Sequence, residues 1–457
     1  MNKRWALLSL CLGLFLAQTD TTAVNLALPA IGAGLHGSLV HLQEVVDAYN
    51  VAFAALLLTG GTLGDRFGRR RLFRTGTAVF VAGSVLCALA PTMPLLVAAR
   101  AVQGAGAALA IPQSLALLAV TFPGHRERHR AMGAWSTVTG VALASGPVLG
   151  GFLVEHAGWP AIFWLNLPIG LAALALSLAV PESADRHPRG LDLPGQLLAV
   201  VFLGVLTFAV VHTDLAAGVA GVLAAVAFLL VERRKQAMLP LHLLRRGPLP
   251  AASSVAFCMT FAMYGFLLLA GLYLQHDRGA GALLAGLELL PMPLLVVVGS
   301  PLTARLVTRF GPRPAMIGGM ALIGLGLGAF ALAGPGIPLP WLELVFAVLG
   351  AGLALNAGPV VGVAVAAVPP DRAGLAAGVV NLARLSGAAF GVAVLGAVLA
   401  AAGLRMALAA GALVGVAGAV LAWRGVQSPP RKAAEVATAG FDELAPNNST
   451  ENATSSR

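Results

Sequence analysis

The sequence predicts an all-α polytopic membrane protein, two six-helix bundles with two extra central helices between them, about fourteen spans in all. Three observations carry that prediction. Hydrophobic residues make up 58% of the chain and charged residues 11%, against about 45–50% and about 25% in soluble domains. Apolar stretches of about 20 residues, each long enough as a helix to cross a hydrocarbon core of about 30 Å, recur along almost the whole length. Two basic glycine turns far apart, Gly61-Thr-Leu-Gly-Asp65-Arg66-Phe67-Gly68-Arg69-Arg70-Arg71 and Gly299-Ser-Pro-Leu-Thr-Ala-Arg305 with Arg309-Phe310-Gly311-Pro312-Arg313, end apolar spans in the same way, as parallel repeats do.

Spans are expected at 5–29, 43–64, 72–90, 95–121, 131–154, 161–180, 195–213, 215–231, 249–275, 282–304, 315–333, 340–367, 374–400 and 404–423. The first six form an N-terminal bundle over 1–190, the next two with their basic loop a linker over 191–247, and the last six a C-terminal bundle over 248–425. The first span follows Lys3 and Arg4, lacks a small-residue cleavage site and is interrupted by Asp20, so it is a retained helix rather than a removed signal peptide. The second and tenth run into the two basic turns. Spans seven and eight carry almost no polar side chain beyond Thr207, His212, Thr213 and Asp214, so they face lipid or brace the halves. The strongest break, Arg233-Arg234-Lys235 through Arg245-Arg246-Gly247-Pro248, precedes the ninth, and only a very short loop precedes the last. Residues 426–457, with Pro429-Pro430 and an Asn/Ser/Thr run, form a tail expected to be disordered.

The net charge of +10 is a topology signal. With both termini in the cytoplasm, about 25 of the 29 Lys and Arg fall inside, among them Arg126 to Arg130, Arg186, Arg189 and Arg372, and only Arg278 and Arg405 outside, as the positive-inside rule requires. Weak attraction to anionic lipid follows, and nucleic acid is not an expected partner. Sequons at Asn448 and Asn452 would then lie in a cytosolic tail, away from glycosylation. Cys11, Cys87 and Cys258 stand singly in apolar spans, with no CxxC and no neighbouring His, so packing is their expected role and no metal site is implied. The 55 glycines let helices approach closely where lipid supplies no hydrophobic drive.

An ionisable group at the centre of a membrane helix costs about 2.5–3.5 kcal/mol on insertion scales. Asp20 lies in Gln18-Thr-Asp20-Thr-Thr-Ala-Val-Asn25, where Gln18, Thr21 and Asn25 share its interior face. Alternating access to water or to a cation could switch a carboxylate there between its two forms; a fixed hydrogen-bond acceptor or salt-bridge partner is the alternative. Asp47 in the second span is similar in type but nearer the mouth, where it could equally be solvated. Arg100, in Arg100-Ala-Val-Gln103-Gly104, cannot lose its proton and needs an acceptor or a water cavity; it could couple protons or clamp helices. Asn381-Leu-Ala-Arg384 places a second such arginine in the thirteenth span, and Glu288 in the tenth is coupling-capable or a snorkelling mouth residue. Candidate substrate-cavity groups are Gln18, Asn25, Gln103, Asn166, Glu288, Asn356, Asn381 and Arg384.

Asp65 follows the second span at that helix's negative pole, an unfavourable place for a carboxylate by about 0.3–1 kcal/mol. It should therefore offset a neighbouring helix N-terminus or Arg66, Arg69 and Arg70, as an inter-helix latch around Gly61 and the turn at Gly68, which tolerates positive φ. In the fifth span Gly140, Gly146, Pro147, Gly150 and Gly151 combine small-residue spacing with a proline, giving close packing and a kink that can serve as a gate or simply as packing.

These segments together resemble the Major Facilitator Superfamily, in particular its fourteen-span drug:proton antiporters, over nearly the whole chain. Gly61 to Arg71 resembles the loop motif between helices two and three, Arg100 to Gly106 with Pro112 the fourth-helix motif, Gly140 to Gly151 the antiporter motif of helix five, and Asp20 to Pro29 the first-helix motif. Gly271-Leu-Tyr273-Leu-Gln275-His276 and Ala285 to Pro291 are similar to antibiotic-resistance exporters of the methylenomycin type. The resemblance implies a latch at Asp65, proton coupling at Arg100 and a seal against leak at Gly146-Pro147. Two departures stand out: Gly158-Trp159-Pro160-Ala161 replaces the usual Trp-Arg-Trp before helix six, and the second turn lacks its Asp, with Thr303 and Ala304 in that neighbourhood.

The function expected is proton-driven export of amphipathic small molecules, drugs or antibiotics, by rocking of two bundles about a midplane cavity, with Asp20, Arg100 and Asp47 coupling protons. No P-loop, HExxH or serine-triad signature is visible, so the proton gradient rather than ATP or a cofactor is expected to drive it, and it is not expected to be an enzyme. An uptake symporter or facilitator is the alternative, and a non-transporting sensor the alternative of another class. Aromatic residues at 6% disfavour a large aromatic cage for bulky cations.

Overall fold

The computed structural model describes residues 3–185, 192–233, 247–334, 336–368 and 373–426. The basic residues Arg186, Arg189, Arg234, Lys235, Arg245, Arg246 and Arg372, and the tail with its sequons, lie outside them.

Among the described residues every regular element is helical. The first bundle holds α1 (Lys3–Leu35), α2 (Leu39–Phe67), α3 (Arg69–Ala88), α4 (Met93–Thr121), α5 (His125–Ala157), and α6 (Pro160–Trp164) continued by α7 (Asn166–Leu176). Two central helices follow, α8 (Leu193–Val211) and α9 (Leu215–Val231). The second bundle holds α10 (Pro248–Leu272), α11 (Ala282–Glu288) leading into α12 (Pro291–Phe310), α13 (Pro312–Ala333), α14 (Leu339–Ala366) and α15 (Ala373–Gly425).

Eleven of these segments are long and apolar enough to cross a membrane, and α2, bent by 51° between Leu39–Leu57 and Thr59–Phe67, makes a twelfth. Two differences from the sequence reading concern the remaining spans. Spans thirteen and fourteen are two helices that meet at a kink with no longer loop between them, where Gly403 departs from helical geometry at φ 80°, a conformation glycine adopts freely. Span eight, α9, is only 17 residues long, about 25 Å at 1.5 Å per residue, which is the short limit for crossing. Counted so, the chain has the fourteen predicted spans. α1 and α2 each run several residues further than predicted, to Leu35 and Phe67.

Long-range packing separates the bundles. α3 and α2 pack on α4, and α1 on α5 and α7; in the other half α10 and α13 pack on α15, and α14 on α12 and α13. Where the halves meet, small residues allow backbone approach. Gly271 faces the Asn25 carbonyl, Gly286 the Pro147 carbonyl and Gly396 the Gln43 side chain. These contacts gather in the half of the molecule away from the basic turns. The end away from the basic turns is thus where these contacts join the bundles.

The central pair braces rather than floats. α8 packs against both α2 and α15, while α9 leaves Leu215, Val219, Val222, Leu223 and Leu230 exposed, as a lipid-facing surface would. Gln196, not among the polar residues picked out in these spans, is buried and donates to the Ala55 carbonyl at 2.6 Å, and its side-chain oxygen accepts from Thr59. At the other end of α8, His212 Nε2 lies 2.8 Å from Glu44 of α2.

Candidate functional site

The first bundle encloses one dense polar cluster. Arg100 of α4 places Nη1 2.5 Å from Asp20 Oδ2 on α1, with both side chains 1% exposed. The same nitrogen donates to Gln103 Oε1 at 2.8 Å, and Nε donates to the Val45 carbonyl of α2 at 3.1 Å. The second carboxylate oxygen accepts from Asn166 Nδ2 of α7 at 2.8 Å and Gln103 Nε2 at 3.2 Å. Both amides also donate to Ser84 Oγ on α3, at 2.7 and 3.2 Å, and the Cys87 thiol donates to Gln103 Oε1 at 3.2 Å. The guanidinium lies 4.4 Å from the Tyr49 ring centroid and 6.0 Å from that of Phe163, adding cation–π attraction in a dry site.

A buried ion pair persists only when extra hydrogen bonds offset desolvation, and removing one partner strands the other at a cost of about 3–5 kcal/mol. Here five helices converge on the pair. Gln103 and Asn166, expected to line a substrate cavity, are instead both committed to Asp20. Ser84 and Tyr49 escaped the sequence reading, since a lone serine or tyrosine in an apolar span carries no pattern of its own.

Asp47 departs from a mouth residue. It is 2% exposed on α2, and neither carboxylate oxygen has a hydrogen-bond partner. One helical turn away, Gln43 Nε2 donates to the carbonyls of Ala393 at 2.9 Å and Val392 at 3.1 Å, across the seam between bundles. Glu288, at 7% exposure with Oε2 unpartnered, is likewise buried rather than snorkelling.

The basic turn is built around Gly68, whose φ of 105° lies in the left-handed region. Asp65 Oδ1 accepts from Arg69 Nη2 at 2.7 Å and Nε at 2.9 Å, so the carboxylate at the foot of α2 is offset by the first arginine of α3. Arg66 instead lies over the Phe67 ring. The partner of α3's N-terminus is Glu182, a residue the sequence reading missed. Its two oxygens accept from the backbone N–H of Arg70 at 2.9 Å and of Arg71 at 3.2 Å, and the Arg70 side chain donates to the Val180 carbonyl. Glu182 follows the sixth span, where Pro181-Glu182-Ser183 gives only a loop signal. Asp65 itself receives the Asp185 N–H on its backbone carbonyl at 2.8 Å.

The fifth-span glycines lie between helices. A Cβ on Gly150 would meet Ala23 of α1 at 3.0 Å, one on Gly151 the Ala282 carbonyl of α11 at 2.5 Å, one on Gly140 Val297 of α12 at 2.7 Å, and one on Gly146 would strike Thr22. α5 is therefore wedged between α1 of one bundle and α11–α12 of the other. Glu155 near its end accepts from the Leu283 N–H at 3.1 Å, and Gln275 donates to the Leu26 carbonyl at 2.8 Å, two further ties at the joined end.

Of the other cavity candidates, Gln18 and Arg384 are half-buried and Asn381 exposed. Asn25 is turned back on the Thr21 carbonyl at 2.7 Å, and Asn356 is fully buried against Gly319, donating to the Gly352 carbonyl. A small residue opposite each explains why they pack instead of lining space. Between the bundles an apolar cleft is lined by Thr22, Leu143, Pro147, Met263, Leu289 and Met292.

Two helical bundles that meet along a seam, with the only buried ion pair among the described residues inside one of them, define a polytopic carrier of the two-bundle type. The sequence matches the Major Facilitator Superfamily over residues 10–392, and the chain belongs to that family. It is 38% identical over 411 residues to the Multidrug resistance protein Stp of Mycobacterium tuberculosis, covering 85% of this chain and 74% of that one. The Methylenomycin A resistance protein of Streptomyces coelicolor is 34% identical over 444 residues, 94% of each chain. Among solved structures a D-xylose-proton symporter superposes with a TM-score of 0.67 over 92% of this chain and 97% of its own, at 18% identity; at that distance the likeness concerns the fold.

Proposed function

We propose that the chain exports amphipathic small molecules, drugs or antibiotics, across the cytoplasmic membrane in exchange for protons, by alternating access and without a cofactor or catalysis. The names of its relatives, resistance and export proteins at 34–38% identity, support export as the direction. The basic turns lie on the cytoplasmic side by the positive-inside rule, which puts the termini inside and the joined seam at the outer end.

The observation that carries the coupling is the Asp20–Arg100 pair, 2.5 Å apart and sealed from solvent. A proton reaching Asp20 neutralises it, frees Arg100, Gln103 and Asn166 from a common acceptor and unties α1 from α4 and α7. α1 also carries Asn25 and Leu26 at the seam with the second bundle, so protonation at Asp20 bears directly on whether the outer end stays closed. Asp47, dry and unpartnered at the same seam, is the second proton candidate. Asp65, Arg69 and Glu182 latch the cytoplasmic ends of α2 and α3 to the chain after span six, and the α5 glycines seal the outer seam.

Energised uptake into inverted vesicles of a panel of dyes and antibiotics, with internal pH followed as each is added, tests the reading. Proton release on substrate addition, abolished in a folded Asp20→Asn variant, is the expected result. Flux that survives collapse of the gradient overturns it.

A further inference from the structure

We propose that Arg384 is an anion subsite where α10, α15 and the first bundle meet, so that the substrates this carrier handles best bear a carboxylate or comparable acidic group. The inference rests on the transport reading above and names the substrate class for it.

Arg384 sits mid-way along the first half of α15, in an apolar span. Its backbone is fixed: the Arg384 carbonyl accepts from Thr260 Oγ1 of α10 at 2.6 Å, and Gly387 one turn on packs against the Phe257 carbonyl. Leu385 next to it packs on the first bundle, beside Leu16, Tyr49 and Phe53. The side chain thus starts where α10, α15 and the first bundle meet. There it is half-buried, and among the described residues its guanidinium makes no hydrogen bond and no ion pair. Tyr264 of α10, also half-buried, lies one helical turn from Thr260. Asn381, one turn before Arg384 on the same face, is exposed.

The other buried arginine sharpens the point. Arg100 has its charge and donors absorbed by Asp20, Gln103 and the Val45 carbonyl. Arg384 cannot discharge itself, since an arginine keeps its proton in proteins, and a desolvated cation without a counter-ion is unfavourable. Its planar fork of donors matches a carboxylate in two parallel bonds. The spans that meet around it, α10 and α15, are otherwise apolar, which suits an amphipathic acid.

Charge movement follows. Exchange of one outgoing monoanion for one incoming proton carries two positive charges inward per cycle, so the membrane potential drives transport together with the pH gradient.

The test uses three probes on one fluorophore: dansylglycine, the neutral dansylglycinamide and a dansyl-ethyl-trimethylammonium cation, titrated into the purified full chain. Expected is at least tenfold tighter binding of dansylglycine than of its amide. Arg384→Gln should erase that preference while leaving amide binding within about twofold, and Arg384→Lys should keep part of it. Thermal unfolding of each variant reports folding separately. Equal binding of acid and amide, no binding of dansylglycine, or best binding of the cation overturns the proposal, as does a preference that survives Arg384→Gln. Flux in inverted vesicles is read in parallel: acid-selective binding without gradient-driven flux would leave this site standing and sink the export reading instead.

Discussion

The two bundles share a fold and differ in how they treat charge. In the first, the buried arginine is paired, and the basic turn at Gly68 joins Asp65 to Arg69 and seats Glu182 on the next helix. In the second, Arg384 has no partner among the described residues, and the turn at Gly311, φ 81°, has no carboxylate; Arg313 there donates to the Trp423 carbonyl at the end of α15. Duplication fixed the backbone geometry of both halves. The charges of the buried ion pair and the latch are concentrated in one, and the unpaired cation stands in the other together with the buried Glu288. A carrier built this way moves its switch in the first bundle and can read a substrate with the second.

The largest effect should come from breaking the paired arginine. Arg100→Gln leaves Asp20 charged and buried, and is expected to cost about 3–5 kcal/mol and abolish transport. The Asp20→Asn/Arg100→Gln double variant should recover most of the stability and none of the coupled flux. Chemical unfolding in detergent together with vesicle efflux checks both; a double variant as unstable as Arg100→Gln alone would mean that packing, not the stranded charge, dominates.

Arg384→Gln should do the opposite. With no partner left stranded, its removal relieves a desolvated cation, and stability is expected to be unchanged or higher, within about 1 kcal/mol, the ordinary range of single substitutions. A loss as large as that of Arg100→Gln would show a hidden partner and erase the contrast between the halves.

Much of this contrast could be read in the sequence, and some could not. Asp20, Arg100 and the two turns announced themselves because a charge inside an apolar span, or a glycine between arginines, breaks a strong pattern. Gln103 and Asn166 were visible as polar residues in spans, but whether an amide faces a cavity or a carboxylate depends on the rotation of two helices about their axes, which no local pattern encodes. Glu182 and Glu155 were hidden for another reason: each acts on the backbone N–H of a helix distant in sequence, and an N-terminus leaves no side-chain signature at long range. The vanished loop at Gly403 shows the limit at span ends, where one residue with positive φ can do the work of a connection.

A third test concerns the seam. Gly151→Leu would drive a side chain into the Ala282 backbone at the joined end, which cannot give way as a flexible side chain could. It should prevent closure there and turn coupled exchange into a leak, read as gradient collapse without substrate, while Gly61→Leu, facing open space in the basic turn, should leave the gradient intact. Leak in both would mean that bulk alone, not position, opens the carrier.

The smallest effect separates the two turns. Aligning the glycines of positive φ puts Asp65-Arg66-Phe67-Gly68-Arg69 on Thr308-Arg309-Phe310-Gly311-Pro312, so Thr308, rather than Thr303 or Ala304, stands in the place of Asp65. Its hydroxyl is spent on the Arg305 carbonyl at 2.8 Å. Thr308→Asp alone sets a carboxylate at the negative end of α12 with proline where Arg69 would be, and should lower stability by about 0.3–1 kcal/mol. Adding Pro312→Arg supplies the missing partner four residues on, worth about 0.3–0.5 kcal/mol for such an exposed pair, and should recover part of the loss. If the single change instead stabilises the protein, Arg309 or Arg313 already suffices to hold the charge. The second turn would then lack a latch for want of a carboxylate alone, and not because its proline had displaced the arginine that pairs with it.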